Sequence, residues 1–479
     1  MLLQVYISEW FLTLLYVVYV LLIVSSIFVV ISENRNASKS LAWILALIFL
    51  PVIGLILYLF FGQSLRQESM LSQKNRNALI KMNLAPQVNF DKLELSDSCK
   101  QLLNLCEQLR QSHFYEGNEV RMYVRGGDKF NDLLEDIRSA QKYIHIQYFI
   151  FRDDKLGRRV RDELVAAVKR GVEVRLLYDD MGCFTVNRRF FDNMRKYGIE
   201  ARAFMRIFRL RPSFRINYRN HRKIVVIDGC VGYIGGMNIA DRYVDGDRDL
   251  SWRDTHIRIE GPAVHGLQMS FAIDWGYESN VLLSDEKYYP SFTNVGDKGI
   301  QIVLSGPIGG WDSIAMICEK IVSMSNKYVY IQTPYFLPTD SLIYALQVAA
   351  LSGVDVRVMI PNRTDWVVMR WGSFSYISQM LNAGVKIYLY QPGMLHSKTI
   401  VADDELVSVG SANFDFRSFE HNFETNALIY DEALALRTKQ DFYNDMAQCV
   451  LIDDLEKWRS RPFVQKVCES VVRLISPLL

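Results

Sequence analysis

The chain has 479 residues, half of them hydrophobic, and 55 Lys and Arg against 53 Asp and Glu leave a formal net charge of +2. That length accommodates about two or three domains, and the near-neutral balance removes any global case for a polyanion-binding protein, so basic patches have to be argued locally. Seven cysteines (Cys99, Cys106, Cys183, Cys230, Cys318, Cys449 and Cys468) form no C-x2-C pair and are odd in number, which excludes a disulfide framework and fits a reducing compartment.

Residues 10–31 carry no charge over 22 positions, enough to cross a bilayer, and residues 41–62 repeat the pattern after a short polar connection. Residues 1–62 therefore read as two transmembrane helices, the second kinked at Pro51. A cleaved signal peptide is the competing reading of the first, but Glu9 stands where a basic region belongs and no small-residue cleavage pattern follows. Arg35 and Lys39 in the connection are outnumbered by Arg66, Lys74, Arg76 and Lys81 beyond the second helix, which places the rest of the chain on the cytoplasmic side.

Residues 63–112 read as a polar linker region holding one helix around Leu102, Leu103 and Leu109. A repeat follows. Lys142-Tyr143-Ile144-His145-Ile146-Gln147 matches Lys327-Tyr328-Val329-Tyr330-Ile331-Gln332, each a strand after an amphipathic helix (Phe130, Leu133, Leu134, Ile137; Ile314, Ile317, Cys318, Ile321). Val160, Leu164, Ala167 and Val168 return as Leu342, Leu346, Ala349 and Ala350, and Gly171, Gly353, Gly198 and Gly384 close helices before further strands. The alternation predicts an α/β fold in two halves related by a pseudo-twofold, a first domain over 113–290 and a second over 291–479. His145 reads as structural.

From Glu200 to Asp228 no acidic residue intervenes, while Arg202, Arg206, Arg209, Arg211, Arg215, Arg219 and Arg222 alternate with Phe204, Phe208, Phe214 and Tyr218. Two readings stand: a solvated basic loop, or a segment meeting a bilayer interface and its anionic head groups. Asp365 to Trp371 reads equally as a lipid-dipping or a core-packing segment. The C-terminal Val464, Val467, Val471, Leu474 and Ile475 form an amphipathic stripe that either lies on the bilayer or caps the second half.

The centre of the chain is a stretch it carries twice. His221-Arg222-Lys223-Ile224-Val225-Val226-Ile227-Asp228 returns as His396-Ser397-Lys398-Thr399-Ile400-Val401-Ala402-Asp403, the pattern H-x-K-x4-D, and the same offset of 175 links Gly235-Gly236 to Gly410-Ser411 and Asn238 to Asn413. Residues 224–227 read as a buried strand and Asp228-Gly229 as a hairpin turn, so Asp228 and Asp403 read as structural. His221 and Lys223, two apart, share a strand face. Two such pairs brought together supply two imidazoles and two ammonium groups, which suits in-line displacement at a phosphodiester without metal. Asn238 and Asn413 would help the lysines hold developing charge, and Gly235, Gly236, Gly410 and Ser411 would let backbone approach the substrate. After each motif an acid opens a strand, Asp254 and Glu424, placed to orient an imidazole. The other histidines (His113, His145, His256, His265 and His421) lack the spacing of a metal site, and neither a metal nor another cofactor is expected.

This constellation resembles the phospholipase D superfamily, whose duplicated H-x-K-x4-D-x6-G-[GS]-x-N both stretches carry, from about Tyr115 to the end of the chain. The membrane-anchored N-terminus and the run Asn217-Tyr218-Arg219-Asn220-His221-Arg222-Lys223 are most similar to bacterial cardiolipin synthases. The resemblance implies two phospholipase D-like halves and a catalytic set of His221, Lys223, Asp228, His396, Lys398 and Asp403. It pairs Glu424 with His396 and Asp254 with His221, Asp249 competing for the latter place. It also implies His221 as nucleophile, His396 as acid and then base, and phosphatidylglycerol as donor and acceptor at a bacterial cytoplasmic membrane. The alternatives are a phospholipase D hydrolase, a phosphatidyltransferase using another lipid, a nucleic-acid phosphodiesterase, which two membrane spans disfavour, and a membrane scaffold, which two intact motifs disfavour. No nucleic acid and no protein partner is implied.

Overall fold

The computed structural model describes residues 2–32, 37–58, 79, 88–109, 112–206, 217–247, 250–292, 294–307 and 311–476. Arg35, Arg66, Lys74, Arg76, Lys81, Arg209, Arg211, Arg215 and Asp249 lie outside the described residues. The chain divides into two compact units, one of residues 1–65 with 207–217 and one of residues 66–206 with 218–479.

In the first unit, helix Leu2–Ser32 contains the segment Glu9–Ser32, the one span among the described residues long and apolar enough to cross a membrane. The second apolar stretch differs from the expected second spanning helix. It forms two helices, Ala37–Phe49 and Pro51–Leu57, broken at Leu50 (φ −127°, ψ 63°). A Cβ added at Gly54 would sit 2.3 Å from the Ala46 carbonyl oxygen, whereas eight residues of continuous helix span roughly 12 Å. The segment therefore bends sharply back on itself. Pro51 explains the break, since it opens the second helix and has no N–H to give the carbonyl four residues back. Val30, Leu47 and Tyr58 pack together at the bend.

The second unit is built on one continuous sheet of 16 strands, fifteen in a single path and the sixteenth, Arg219–Asn220, paired off it with Asn422–Tyr430. From one edge the first half contributes Glu200–Phe204, Glu173–Asp179, Tyr143–Tyr148, Lys223–Ile227, Val231–Gly235, His256–Glu260 and Phe114–Tyr123. The second half continues with Lys298–Ser305, Asn422–Tyr430, Leu406–Gly410, Thr399–Ala402, Tyr328–Gln332, Asp355–Pro361, Lys386–Tyr390 and Cys449–Ile452. The halves join where Phe114 pairs antiparallel with Gln301. The repeated pattern read from sequence is thus one fold written twice, and its equivalent strands meet at a seam.

The predicted helices lie where their apolar periodicity places them: Gly126–Ser139, Lys155–Lys169, Ser313–Met324 and Asp340–Leu351. Gly171 and Gly353 each take φ +93° just past their helix ends, a conformation costly for any residue with a Cβ. The expected linker helix, Asp97–Gln108, is capped by the Ser96 side chain, which accepts from the Cys99 N–H. It buries Cys99, Leu102, Leu103 and Cys106 with Ile314, Ile317 and Ile321, so this segment belongs to the core of the second half.

Asp228 and Asp403 occupy matching turns at φ +52° and +53°. Asp228 accepts from the backbone N–H groups of Gln141, Lys142 and Tyr143 at 2.7, 2.7 and 2.8 Å. Asp403 accepts from those of Asn326, Lys327 and Tyr328 at 2.6, 2.8 and 2.9 Å. Each motif aspartate therefore ties its hairpin to the start of the neighbouring strand. Asp228→Asn keeps the turn but loses the charge-assisted bonds, an expected loss of roughly 1–3 kcal/mol of stability. Thermal unfolding checks this, with activity per folded molecule kept within a few-fold; lost activity at an unchanged melting point would give Asp228 a direct part in the chemistry.

Candidate active site

The two motifs meet across the seam, and they exchange partners there. The short strand Arg219–Asn220 pairs with Asn422–Phe423, and the His221 N–H donates to the Phe423 carbonyl at 3.0 Å. This sets the His221 Nδ1 at 2.9 and 3.1 Å from the two Glu424 carboxylate oxygens. In mirror fashion Ser251–Arg253 pairs with Gly393–Leu395, the His396 N–H donates to the Arg253 carbonyl at 2.6 Å, and the His396 Nδ1 lies 2.7 Å from Asp254 Oδ2. The expected pairing is therefore inverted: Glu424 serves His221 and Asp254 serves His396. The reason is topological, because each acid follows a residue whose carbonyl holds the opposite half's histidine.

His221, Lys223, Asp254, His396, Lys398 and Glu424 are all buried. Lys223 Nζ donates to the His221 carbonyl at 2.5 Å, and Lys398 Nζ donates to that of His396 and lies 2.9 Å from its Nδ1. Burial lowers Lys223 to about 7 and Lys398 to about 8. It also holds His221 down at about 4, against the pull of Glu424, and puts His396 well below its usual value, helped by Lys398, Lys223 and Arg242. A nucleophilic imidazole has to be neutral and anion-stabilising lysines charged, so for such a reaction kcat/KM is expected to fall below about pH 4 and again as pH rises through about 7 to 8. A pH–rate profile of kcat/KM checks this, and activity still climbing above pH 9 would contradict it.

The two acids differ. Against the upward push of burial, His221, Lys223 and the Ser411 hydroxyl hold Glu424 at about 2. Asp254 is raised by burial to about 7. Gly236 stands where the second half has Ser411, and a Cβ there would lie 2.1 Å from Asp254 Oδ1. A Cβ on Gly235 would strike His256 and one on Gly410 would strike the Asn426 side chain. The small residues after each motif thus clear space for their own half's next strand, where the sequence had suggested room for substrate.

Asn238 is taken up on both sides, its Oδ1 accepting from the Ile150 N–H at 3.1 Å and its Nδ2 donating to the Tyr243 hydroxyl at 2.7 Å. Asn413 Nδ2 donates to Asp415 at 3.1 Å, while its Oδ1 is buried without a partner among the described residues. Asn238 therefore fixes its own loop. His145 is structural, bonded to Gln268 at 2.9 Å and stacked on Phe271. Among the described residues no group of three or more His, Cys, Asp and Glu could hold a metal ion.

Two buried clamps escaped the sequence reading. Arg222 Nη1 bonds Asp274 at 2.6 Å and its Nε donates to the Glu424 carbonyl at 3.2 Å, with Gln147 and Asn220 also on Asp274. Arg253, also of the first half, reaches across the seam, its Nη2 2.8 Å from Asp445, to which Gln332 also bonds, while its Nη1 donates to the Asp254 carbonyl. Each guanidinium therefore grips the backbone of an orienting acid. Their only signal was the repeated Ile-Gln at Gln147 and Gln332; Arg222 and Arg253 both come from the first half, so the repeat gave no matching pair of arginines.

Helix Phe463–Ile475 both caps and projects. Val472 is buried against Gly372 of helix Val367–Asn382, while Phe463, Val464, Val467, Val471 and Leu474 are exposed, as are Trp366 and Val367.

The family described as "Cardiolipin synthase, PLD-like domain" matches residues 133–275 and 317–446, and "Phospholipase D-nuclease N-terminal" matches residues 18–63. The major cardiolipin synthase ClsA of Bacillus subtilis is 41% identical, covering 97% of this chain and 99% of its own. Cardiolipin synthase 1 of Staphylococcus aureus is 40% identical over 96% and 95% of the two chains. The crystal structure of a phosphatidylserine synthase from Haemophilus influenzae shares the fold, with a TM-score of 0.61 at 14% identity over 79% of this chain and all of that one.

Proposed function

Because the chain belongs to the cardiolipin synthase family of phospholipase D-like proteins, we propose that it transfers a phosphatidyl group from one phosphatidylglycerol to another, giving cardiolipin and glycerol. The observation that carries the site reading is the crossed pair of imidazole–carboxylate contacts, His221 with Glu424 and His396 with Asp254. Two oriented imidazoles flanked by two buried ammonium groups match the needs of double displacement at phosphorus.

In the first step His221 Nε2, freed as a lone pair because Nδ1–H is committed to Glu424, attacks the donor phosphorus. The bond from phosphorus to the glycerol oxygen breaks, and His396 delivers its Nε2 proton to that oxygen. In the second step the acceptor's hydroxyl gives its proton to His396 as its oxygen attacks phosphorus and the P–N bond breaks. Lys223 and Lys398 counter the charge on the non-bridging oxygens. The asymmetry of the acids supports these roles. Glu424, held ionised at about 2, keeps His221 in one tautomer, whereas the His396 Nδ1 stands between Lys398 and a carboxyl raised to about 7, an environment suited to taking up and releasing a proton.

The lysines supply the charge stabilisation that a metal provides elsewhere, so turnover is expected to survive EDTA; loss restored by a divalent ion would require another mechanism. The span Glu9–Ser32 supports a membrane-anchored enzyme, and the excess of Arg66, Lys74, Arg76 and Lys81 over Arg35 and Lys39 supports a catalytic body on the cytoplasmic side. The test is mass balance: purified protein given head-group-labelled phosphatidylglycerol in liposomes releases glycerol and builds cardiolipin in equal amounts. Predominant phosphatidic acid would make it a hydrolase, and no product without another phospholipid would mean different donor and acceptor lipids.

A further inference from the structure

The reacting phosphorus accounts for His221, His396, Lys223 and Lys398, yet the wall beside His396 holds more cationic and donor capacity than the described contacts use. Trp252 lies on the crossing strand beside Met394, and its ring and that of Tyr243 flank His396 at 5.7 and 5.8 Å. The guanidinium of Arg242 stacks over Trp252 at 4.7 Å and lies 5.5 Å from the Tyr243 ring. Among the described residues, Arg242 Nε and Trp252 Nε1 are buried N–H groups with no hydrogen-bond partner. Leaving two such donors unmet is costly, which marks a place built for an acceptor that arrives from outside. The arginine at the matching place in the other half, Arg417, faces Asp415, Asp179 and Glu424. Arg242 meets the Tyr243 hydroxyl and faces Asp365, which also accepts from the Tyr335 hydroxyl at 2.6 Å.

We infer that Arg242, with the indole N–H of Trp252, forms a second anionic subsite that binds the phosphate of the acceptor lipid. The inference rests on phosphatidylglycerol as acceptor. Such a lipid presents its hydroxyl one glycerol length from its own phosphate, so when the hydroxyl sits at His396 in the place vacated by the leaving glycerol, that phosphate reaches past His396. Arg242 stacks on the aromatic pair that flanks His396. A guanidinium stacked on an indole is a fixed, weakly hydrated phosphate donor, and water or free glycerol brings it no negative charge. The subsite would thus select a lipid phosphodiester over other nucleophiles.

The test compares two reactions of the full-length protein in phosphatidylglycerol liposomes: cardiolipin formation, and exchange of labelled free glycerol into phosphatidylglycerol, which uses the same covalent step with an acceptor that lacks phosphate. Arg242→Gln should lower the ratio of cardiolipin formation to glycerol exchange roughly ten- to a hundred-fold, the weight of one charge-assisted contact, and raise the share of phosphatidic acid. Arg242→Lys should recover part of the ratio. An unchanged ratio overturns the subsite, whether both rates fall together or neither does. Wild-type protein that exchanges glycerol but makes no cardiolipin would instead overturn the acceptor assignment itself.

Discussion

Replacing His221 or His396 by alanine is expected to abolish cardiolipin formation, by roughly 10⁴-fold or more in each case, although the other motif stays intact. The expectation follows from the seam. His221 is held by a backbone bond to Phe423 and a side-chain bond to Glu424, both from the opposite half, and His396 is held in the same way by Arg253 and Asp254. Neither half contains a complete site. The double variant should then be no worse than either single one, since residues that act as a unit are strongly non-additive. Rates measured on folded, liposome-reconstituted protein decide it: a single variant retaining near wild-type turnover would mean two independent sites.

Removing the carboxylates should cost nearly as much and should reveal the crossing. Glu424→Gln and Asp254→Asn keep the side-chain shape but can present the wrong group to Nδ1, and a comparable change behind a catalytic imidazole costs on the order of 10⁴ in rate. Glu424→Gln should slow formation of the covalent intermediate, because Glu424 serves His221. Asp254→Asn should slow glycerol departure and acceptor attack, and shift the pH profile, because Asp254 serves His396. A donor lipid whose leaving group needs no proton, such as a p-nitrophenyl phosphodiester, separates the two, because Asp254→Asn should keep its burst of released leaving group and Glu424→Gln should lose it. If Asp254→Asn alone removed the burst while Glu424→Gln kept it, the pairing would run within each half.

Much of this was legible in the sequence because the chain repeats itself. The offset of 175 between the motifs, the helices ending at Gly171 and Gly353, and the turn aspartates all follow from local rules that the fold obeys twice. The partner exchange was not legible. Asp254 follows His221 by 33 residues and Glu424 follows His396 by 28, and nearness along the chain suggests pairing within a half, while the choice depends on how strands cross the seam. The glycines after each motif misled for a similar reason, since their neighbours are strands distant in sequence. In the membrane unit, composition gave two apolar stretches of similar length, but hydropathy is blind to the break that Pro51 imposes at Leu50.

The most direct test of the account is to trap the intermediate. Wild-type protein mixed with phosphatidylglycerol labelled in its acyl chains, quenched within the first turnover under alkaline conditions that preserve phosphohistidine, should carry the label on His221, at up to one phosphatidyl group per chain. Label on His396, label divided between the two histidines, or turnover without any covalent lipid would contradict it.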